Sequence, residues 1–179
     1  MNIRKKLFFT VLRAGEQLHL YNLLFAFIAL SSSHPFTDYF RGLDQIDAIK
    51  EIFGNKTEEV LSSLRVHFVR RAGYMGVNPL NRHIVVNPNY LDNGDETDIY
   101  LDLVHELVHV RQQMEGRQLF EKGFKYVERP TEIEAYKYTV KEARRLGLGS
   151  ERICEYLKTE WMSETDLQKL ATALRVECL

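Results

Sequence analysis

The stretch YLDLVHELVHVRQQ, residues 100–113, carries His105 and His109 four apart around Glu106. Four residues is about one helical turn, so on a helix Asp102, His105, Glu106, His109 and Gln113 share one face, while Tyr100, Leu103, Leu107 and Val110 take the opposite one. The apolar face must dock on a body of protein, and the two imidazoles then converge elsewhere. There each can offer one nitrogen to a single metal ion, with the intervening carboxylate beside the coordination position left to solvent. A chain built around this motif needs a helix-packing core and a further segment that supplies a third ligand.

A catalytic zinc takes three protein groups and leaves one site for water. His19, His34, His67 and His83 all precede the motif, with no second histidine at ligand spacing. Each reads as a structural histidine, although His83, on the strand RHIVV, is also placed to line a cleft. The better source lies downstream in ERPTEIEAYKYTVKEARRLG. Thr131 with Glu134 three residues later, directly after Pro130, is a capping-box pattern that predicts a helix over 131–147. Its carboxylates are Glu132 and Glu134. A capping task for Glu134, reaching back to the cap amide, leaves Glu132 freer to meet a metal, while the spacing alone also admits the reverse.

The remainder of the chain reads as α+β. In DQIDAIKEIFGNKTEEVLSSL, apolar residues at Ile46, Ile49, Ile52 and Phe53 predict a helix ended by Gly54, with Thr57 capping the next. The period then changes, and residues 65–70 and 82–87 read as paired strands, the second ended by Pro88, which cannot donate to a ladder. LDNGDETD reads as a loop into the HELVH helix. Residues 1–62 form an N-terminal helical segment, 63–148 the domain bearing the motif, and 149–179 a C-terminal helical segment and tail.

Lysine and arginine number 24 against 25 acids, for a formal net charge of -1, which argues against nucleic acid as the main partner. Cys154 and Cys178 make neither a disulfide framework nor CxxC arms for a structural zinc. A reducing, cytoplasmic setting is therefore the expectation. The N-terminus has a signal-like start in Arg4, Lys5 and Lys6, but its first apolar run, residues 7–12, is followed by Arg13, Glu16 and Gln17, and the second, residues 18–30, contains His19 and Asn22. The second run is also shorter than the roughly 20 apolar residues of a bilayer span. It reads as a buried or partner-docking helix, with docking on a membrane surface as the alternative.

HELVH followed by TEIEAY, with 22 residues between His109 and Glu132, resembles the gluzincin metallopeptidases, in which two histidines of HExxH and a glutamate from a later helix bind zinc. The chain is most similar to the minigluzincins, small soluble prokaryotic proteins with a compact catalytic domain, some of them kept latent by their own C-terminal segment. Membrane peptidases that process prenylated proteins are more distant relatives. Their ExxAD reads EIEAY here, so Glu132 and Ala135 match, and Tyr136 stands where they have aspartate. That departure leaves the usual carboxylate behind the ligands unaccounted for. The resemblance covers about residues 66–147, with a weaker echo in EYLKTEWMSETDLQKLA.

It implies a zincin-like domain that hydrolyses peptide or protein substrates, with zinc held by His105, His109 and Glu132. Such an ion lowers the pKa of its water to about 7, and Glu106 acts as general base, passing the proton to the leaving amine. Tyr136 or Tyr138 is the candidate donor to the developing oxyanion, Asp102 the candidate to orient a ligand imidazole, and the strand at 82–87 the candidate to pair with an extended substrate. The alternative is a catalytically silent zincin-fold module that binds or regulates, against which the intact Glu106 argues. At the C-terminus, Ser163 is expected to cap a helix burying Leu167, Leu170, Ala171 and Leu174. The tail beyond it carries Cys178, a capable zinc ligand, and the resemblance raises latency through that tail.

Overall fold

The computed structural model describes residues 33–70 and 73–178. The apolar run at 18–30, with its docking and membrane-surface readings, lies outside them. The protein is α+β, and its chain divides into two compact units between Tyr100 and Leu101.

The first unit holds a four-stranded mixed sheet of β1 (Ser33–Pro35), β2 (Arg65–Phe68), β3 (Met75–Val77) and β4 (Ile84–Val86), in the order β1-β2-β4-β3. β2 and β4 pair, as the sequence predicts, and run parallel with Val66 opposite Ile84. β1 joins β2 and β3 joins β4, both antiparallel. Val66, Phe68, Ile84 and Val86 are buried while Arg65, His67 and Val85 are partly exposed, the alternation of a sheet with one buried face. β4 is flanked on both sides, so it has no edge to offer an extended peptide, and that expectation is corrected. Gly76 lies inside β3.

Short helices α1 (Phe36–Tyr39), α2 (Asp47–Phe53) and α3 (Thr57–Ser63) add Phe36, Ile49, Ile52, Val60 and Leu61 to the core. α2 stops at Gly54, whose φ of 60° suits a residue without Cβ. Thr57 is not a cap. It is already helical, and its hydroxyl donates to the Gly54 carbonyl at 2.7 Å, closing the turn between the two helices. Pro88 ends the strand by opening α4 (Pro88–Asn93), capped by the Asn87 side chain, so the expected loop starts later. Asp95 Oδ1 then accepts from the amides of Thr97 and Asp98 and launches the motif helix α5 (Glu96–Met114).

The second unit comprises α5 from Leu101 onward, a 3-10 turn at Tyr126–Glu128, α6 (Pro130–Arg145), α7 (Ser150–Leu157) and α8 (Glu164–Leu174). α5 buries more than the predicted stripe. Leu101, Val104 and Val108 are enclosed along with Leu103, Leu107 and Val110, as on a helix wrapped by core. α8 packs against α6 and the 3-10 turn. Ser163 caps it by accepting from the Asp166 amide at 3.1 Å, and Leu167, Leu170, Ala171 and Leu174 are buried, both as the spacing predicts. No helix among the described residues is long and apolar enough to cross a membrane.

The two cysteines depart from expectation. Arg175, in the left-handed region at φ 54°, reverses the chain after α8, Val176 is buried, and Cys178 is disulfide-bonded to Cys154 on α7 with a Cα–Cα distance of 5.5 Å. This bond removes the ground on which a reducing setting was expected. It closes a loop across a sequence separation of 24, and a loop of that length lowers the unfolded chain's entropy enough to stabilise by about 3 kcal/mol. The Cys154→Ser, Cys178→Ser double variant is expected to lose about that much in urea unfolding.

Candidate metal centre

His105 and His109 lie one turn apart on α5, and Pro130 starts α6 so that Glu132 falls in its first turn, where a carboxylate suits the helix dipole. These elements bring three buried donor atoms together. His105 Nε2 lies 3.0 Å from His109 Nε2 and 3.2 Å from Glu132 Oε2, and His109 Nε2 lies 3.4 Å from the same oxygen. Tetrahedral zinc with bonds of about 2.0–2.1 Å sets its donors about 3.3–3.4 Å apart. The triangle therefore has the size of one face of such a site, and the three residues can hold a metal ion. Glu106, half-buried, sits on the same helix.

Without a cation, three acceptor atoms this close need a proton among them. Burial opposes a charged His109, but the hydrogen bond to Glu132 and the carboxylates of Glu106 and Glu132 outweigh it and push its pKa up to about 9. Burial pushes His105 below the ordinary imidazole value despite Glu132. Burial would raise Glu132, yet its bonds to the two histidines hold it well below the usual carboxylate range. One imidazole carries the charge because two cations 3.0 Å apart would repel. A folded-state pKa raised above the ordinary 6.5 stabilises the metal-free fold below that pH, and the contribution fades as pH rises through about 9. Chelator-treated protein is accordingly expected to melt at a lower temperature at pH 9.5 than at pH 6.5, a difference that shrinks in Glu132→Gln.

The capping box is not formed. Arg129 is the residue before α6, and Thr131 lies inside the first turn, its hydroxyl donating to Glu121 Oε2 at 2.9 Å. Glu121 also accepts from the Thr131 amide at 3.3 Å, supplying the partner that Glu134 was expected to provide. Glu134 instead takes Arg111, Arg117 and Gln112. Burial would raise its pKa, but Arg117, Gln112 and Arg111 hold it low. Glu132 thus meets the histidines while Glu134 belongs to an arginine network.

Asp102 accepts from the Tyr156 hydroxyl at 2.8 Å, and the buried His105 Nδ1 has no hydrogen-bond partner among the described residues, so the expected orienting contact from Asp102 is absent there. Tyr138 accepts from Arg111 at 2.9 Å and lies under its guanidinium. Tyr136 is at the centre, its buried ring edge-on to His105 at 4.4 Å and its hydroxyl 3.1 Å from that of Tyr126. Burial raises both tyrosine pKa values, and the charges of Glu132 and Glu106 add to this, so both hydroxyls stay protonated. Cys178, considered as a metal-blocking ligand, has its sulfur in the disulfide instead.

Neither Tyr126 nor Gln112 stands out in the sequence reading. Gln112 lies three residues past His109, at the margin of the histidine face, and i, i+3 spacing was the available signal. Away from the centre, His67 on β2 and His83, just before β4, pair with each other, Nε2 to Nδ1 at 2.7 Å, and His34 packs near Tyr39 and Phe68. Comparison with protein-family models, curated proteins and solved structures finds no match for this chain.

Proposed function

We propose that the protein is a zinc-dependent metallopeptidase with a zincin-like catalytic domain. The observation that carries this reading is the convergence of His105, His109 and Glu132 within 3.4 Å of one another, with Glu106 between the two histidines in sequence. Two imidazoles and a carboxylate match the donor set of catalytic zinc sites that keep one position open. Zinc bound there supplies Lewis acidity toward water and a substrate carbonyl.

The chain's own residues divide the remaining work. His105, His109 and Glu132 hold the ion, and Glu106 takes the proton of the attacking water and delivers it to the leaving amine. Tyr136 braces the His105 ring by its edge-to-face contact. The neutral Tyr126–Tyr136 hydroxyl pair is the nearby O–H donor for charge developing on the substrate oxygen. Latency through Cys178 has no part in this reading, since its sulfur is bonded to Cys154.

Titration of chelator-treated protein with zinc tests the metal half of the proposal. Uptake of one ion per chain is expected, abolished in His109→Ala. A chain that takes up no zinc, or that binds it equally well as His109→Ala, would remove the basis for the reading.

A further inference from the structure

Gln112 is completely buried one turn beyond His109. Its side-chain amide touches both elements that carry metal-binding atoms. Gln112 Oε1 lies 2.7 Å from His109 Nδ1, and Gln112 Nε2 lies 3.0 Å from the Thr131 carbonyl and 2.9 Å from Glu134 Oε2. A backbone carbonyl and a carboxylate gripped by two arginines are acceptors only. Turning the amide around would set its oxygen against two other oxygens, the Thr131 carbonyl and the Glu134 carboxylate, so the orientation is fixed by its partners. Gln112 Oε1 therefore accepts, and the atom facing it, His109 Nδ1, must carry a hydrogen.

The consequence reaches the centre. With the hydrogen on Nδ1, a neutral His109 has its lone pair on Nε2, the atom that faces His105 and Glu132. We propose that Gln112 is the positioning residue of this centre, setting the His109 tautomer for ligation through Nε2 and tying that imidazole to the first turn of α6, which carries Glu132. The functional part of this inference rests on the zinc reading above, while the tautomer is a property of the chain with or without metal.

Two further observations support it. Glu134, which orients the amide, is itself gripped by Arg111 and Arg117, so the anchor is held from outside the centre. Tyr136 occupies the position where a supporting carboxylate was sought, but its hydroxyl goes to Tyr126 rather than to an imidazole nitrogen. The neutral amide supports His109 without adding negative charge, leaving Glu132 as the one anionic member of the triad. His105 has no equivalent support at Nδ1 among the described residues, so the fixed imidazole is His109.

The test uses ring-nitrogen NMR of 15N-labelled full-length protein, zinc-loaded and also metal-free at pH about 10, above the value of about 9 to which the His109 pKa is pushed, so that its neutral form predominates. Expected is a His109 Nδ1 hydrogen protected from exchange in both forms, with Nε2 metal-bound in the first and unprotonated in the second. A hydrogen on Nε2 in the metal-free form, or an even mixture of tautomers, would overturn the proposal without any variant having to fold. Gln112→Leu is then expected to lower zinc affinity about 10- to 100-fold against a competing chelator and to mix the metal-free tautomers. A folded Gln112→Leu with wild-type zinc affinity and an unmixed tautomer overturns the proposal even if it melts earlier, because a packing role alone would explain that. A wild-type chain that takes up no zinc overturns the peptidase reading together with the ligation role assigned here. That outcome is told apart from failure of this inference alone, in which wild type and variant bind zinc equally.

Discussion

Glu106→Gln is expected to bind zinc as tightly as the wild type and to lose roughly 10²- to 10⁴-fold in peptide hydrolysis, the range associated with a positioned general base. The asymmetry follows from the division of labour within the motif. The triangle that can hold a metal ion is built from His105, His109 and Glu132, so replacing the Glu106 carboxylate by an amide of the same shape leaves it intact. What disappears is a group able to take a proton from water and return it to an amine. The same carboxylate helps raise the His109 pKa in the metal-free protein, so the metal-free variant should also titrate at lower pH. Zinc content by elemental analysis, beside hydrolysis rates, checks the pair. Loss of zinc from Glu106→Gln, or wild-type hydrolysis without the carboxylate, would contradict the assignment.

The second large effect separates two glutamates that stand two apart in the sequence. Glu132→Ala is expected to weaken zinc binding by more than roughly 100-fold, beyond the range for outer supporting groups, because one of three converging donors is gone. Glu134→Ala is expected to weaken it by less than about tenfold, since Gln112 keeps its bond to the Thr131 carbonyl. It should instead leave Arg111 and Arg117 without the carboxylate they share. Competition titrations on the two variants read the difference directly. Equal losses would mean that the arginine network, rather than direct ligation, governs the centre.

Much of the centre is legible in the sequence because it is local. HELVH sets two imidazoles on one helical face, and that arithmetic does not depend on tertiary structure. Pro130 likewise marks the start of α6, and Ser163 the start of α8. Assigning Glu134 to a cap failed for a physical reason. A capping box competes with any better partner for either member, and Glu121 from the preceding loop and the arginines from α5 and beyond its end were better partners. No sequence pattern fixes where a loop will place a carboxylate. Glu132, the carboxylate that lies with the two histidines, is the one the sequence favours, but by an argument that the structure does not bear out.

The Cys154–Cys178 bond shows the same limit. It depends on a reversal at Arg175, where a non-glycine residue adopts a left-handed conformation that local propensity would not select. β1 and β3 escape the sequence because Ser33–Pro35 and Met75–Val77 lack the β-branched run that marks the equally short β4, and their pairing with β2 and β4 is what makes them strands. Gln112 was within reach at three residues from His109, but only its bonds to Thr131 and Glu134 distinguish it from an ordinary helix-surface glutamine.

The central claim is that the triad and Glu106 together hydrolyse peptide bonds. It is tested most directly by digesting a broad mixed-peptide library with full-length protein in three states, namely zinc-loaded, chelator-treated and zinc-reconstituted, and identifying the products by mass spectrometry. The expected result is cleavage by the first and third states, none by the second, and none detectable by zinc-loaded Glu106→Gln. Protein that carries one zinc per chain at the triad and still cleaves no peptide in the library would contradict the account and leave a zinc-binding module in place of a peptidase.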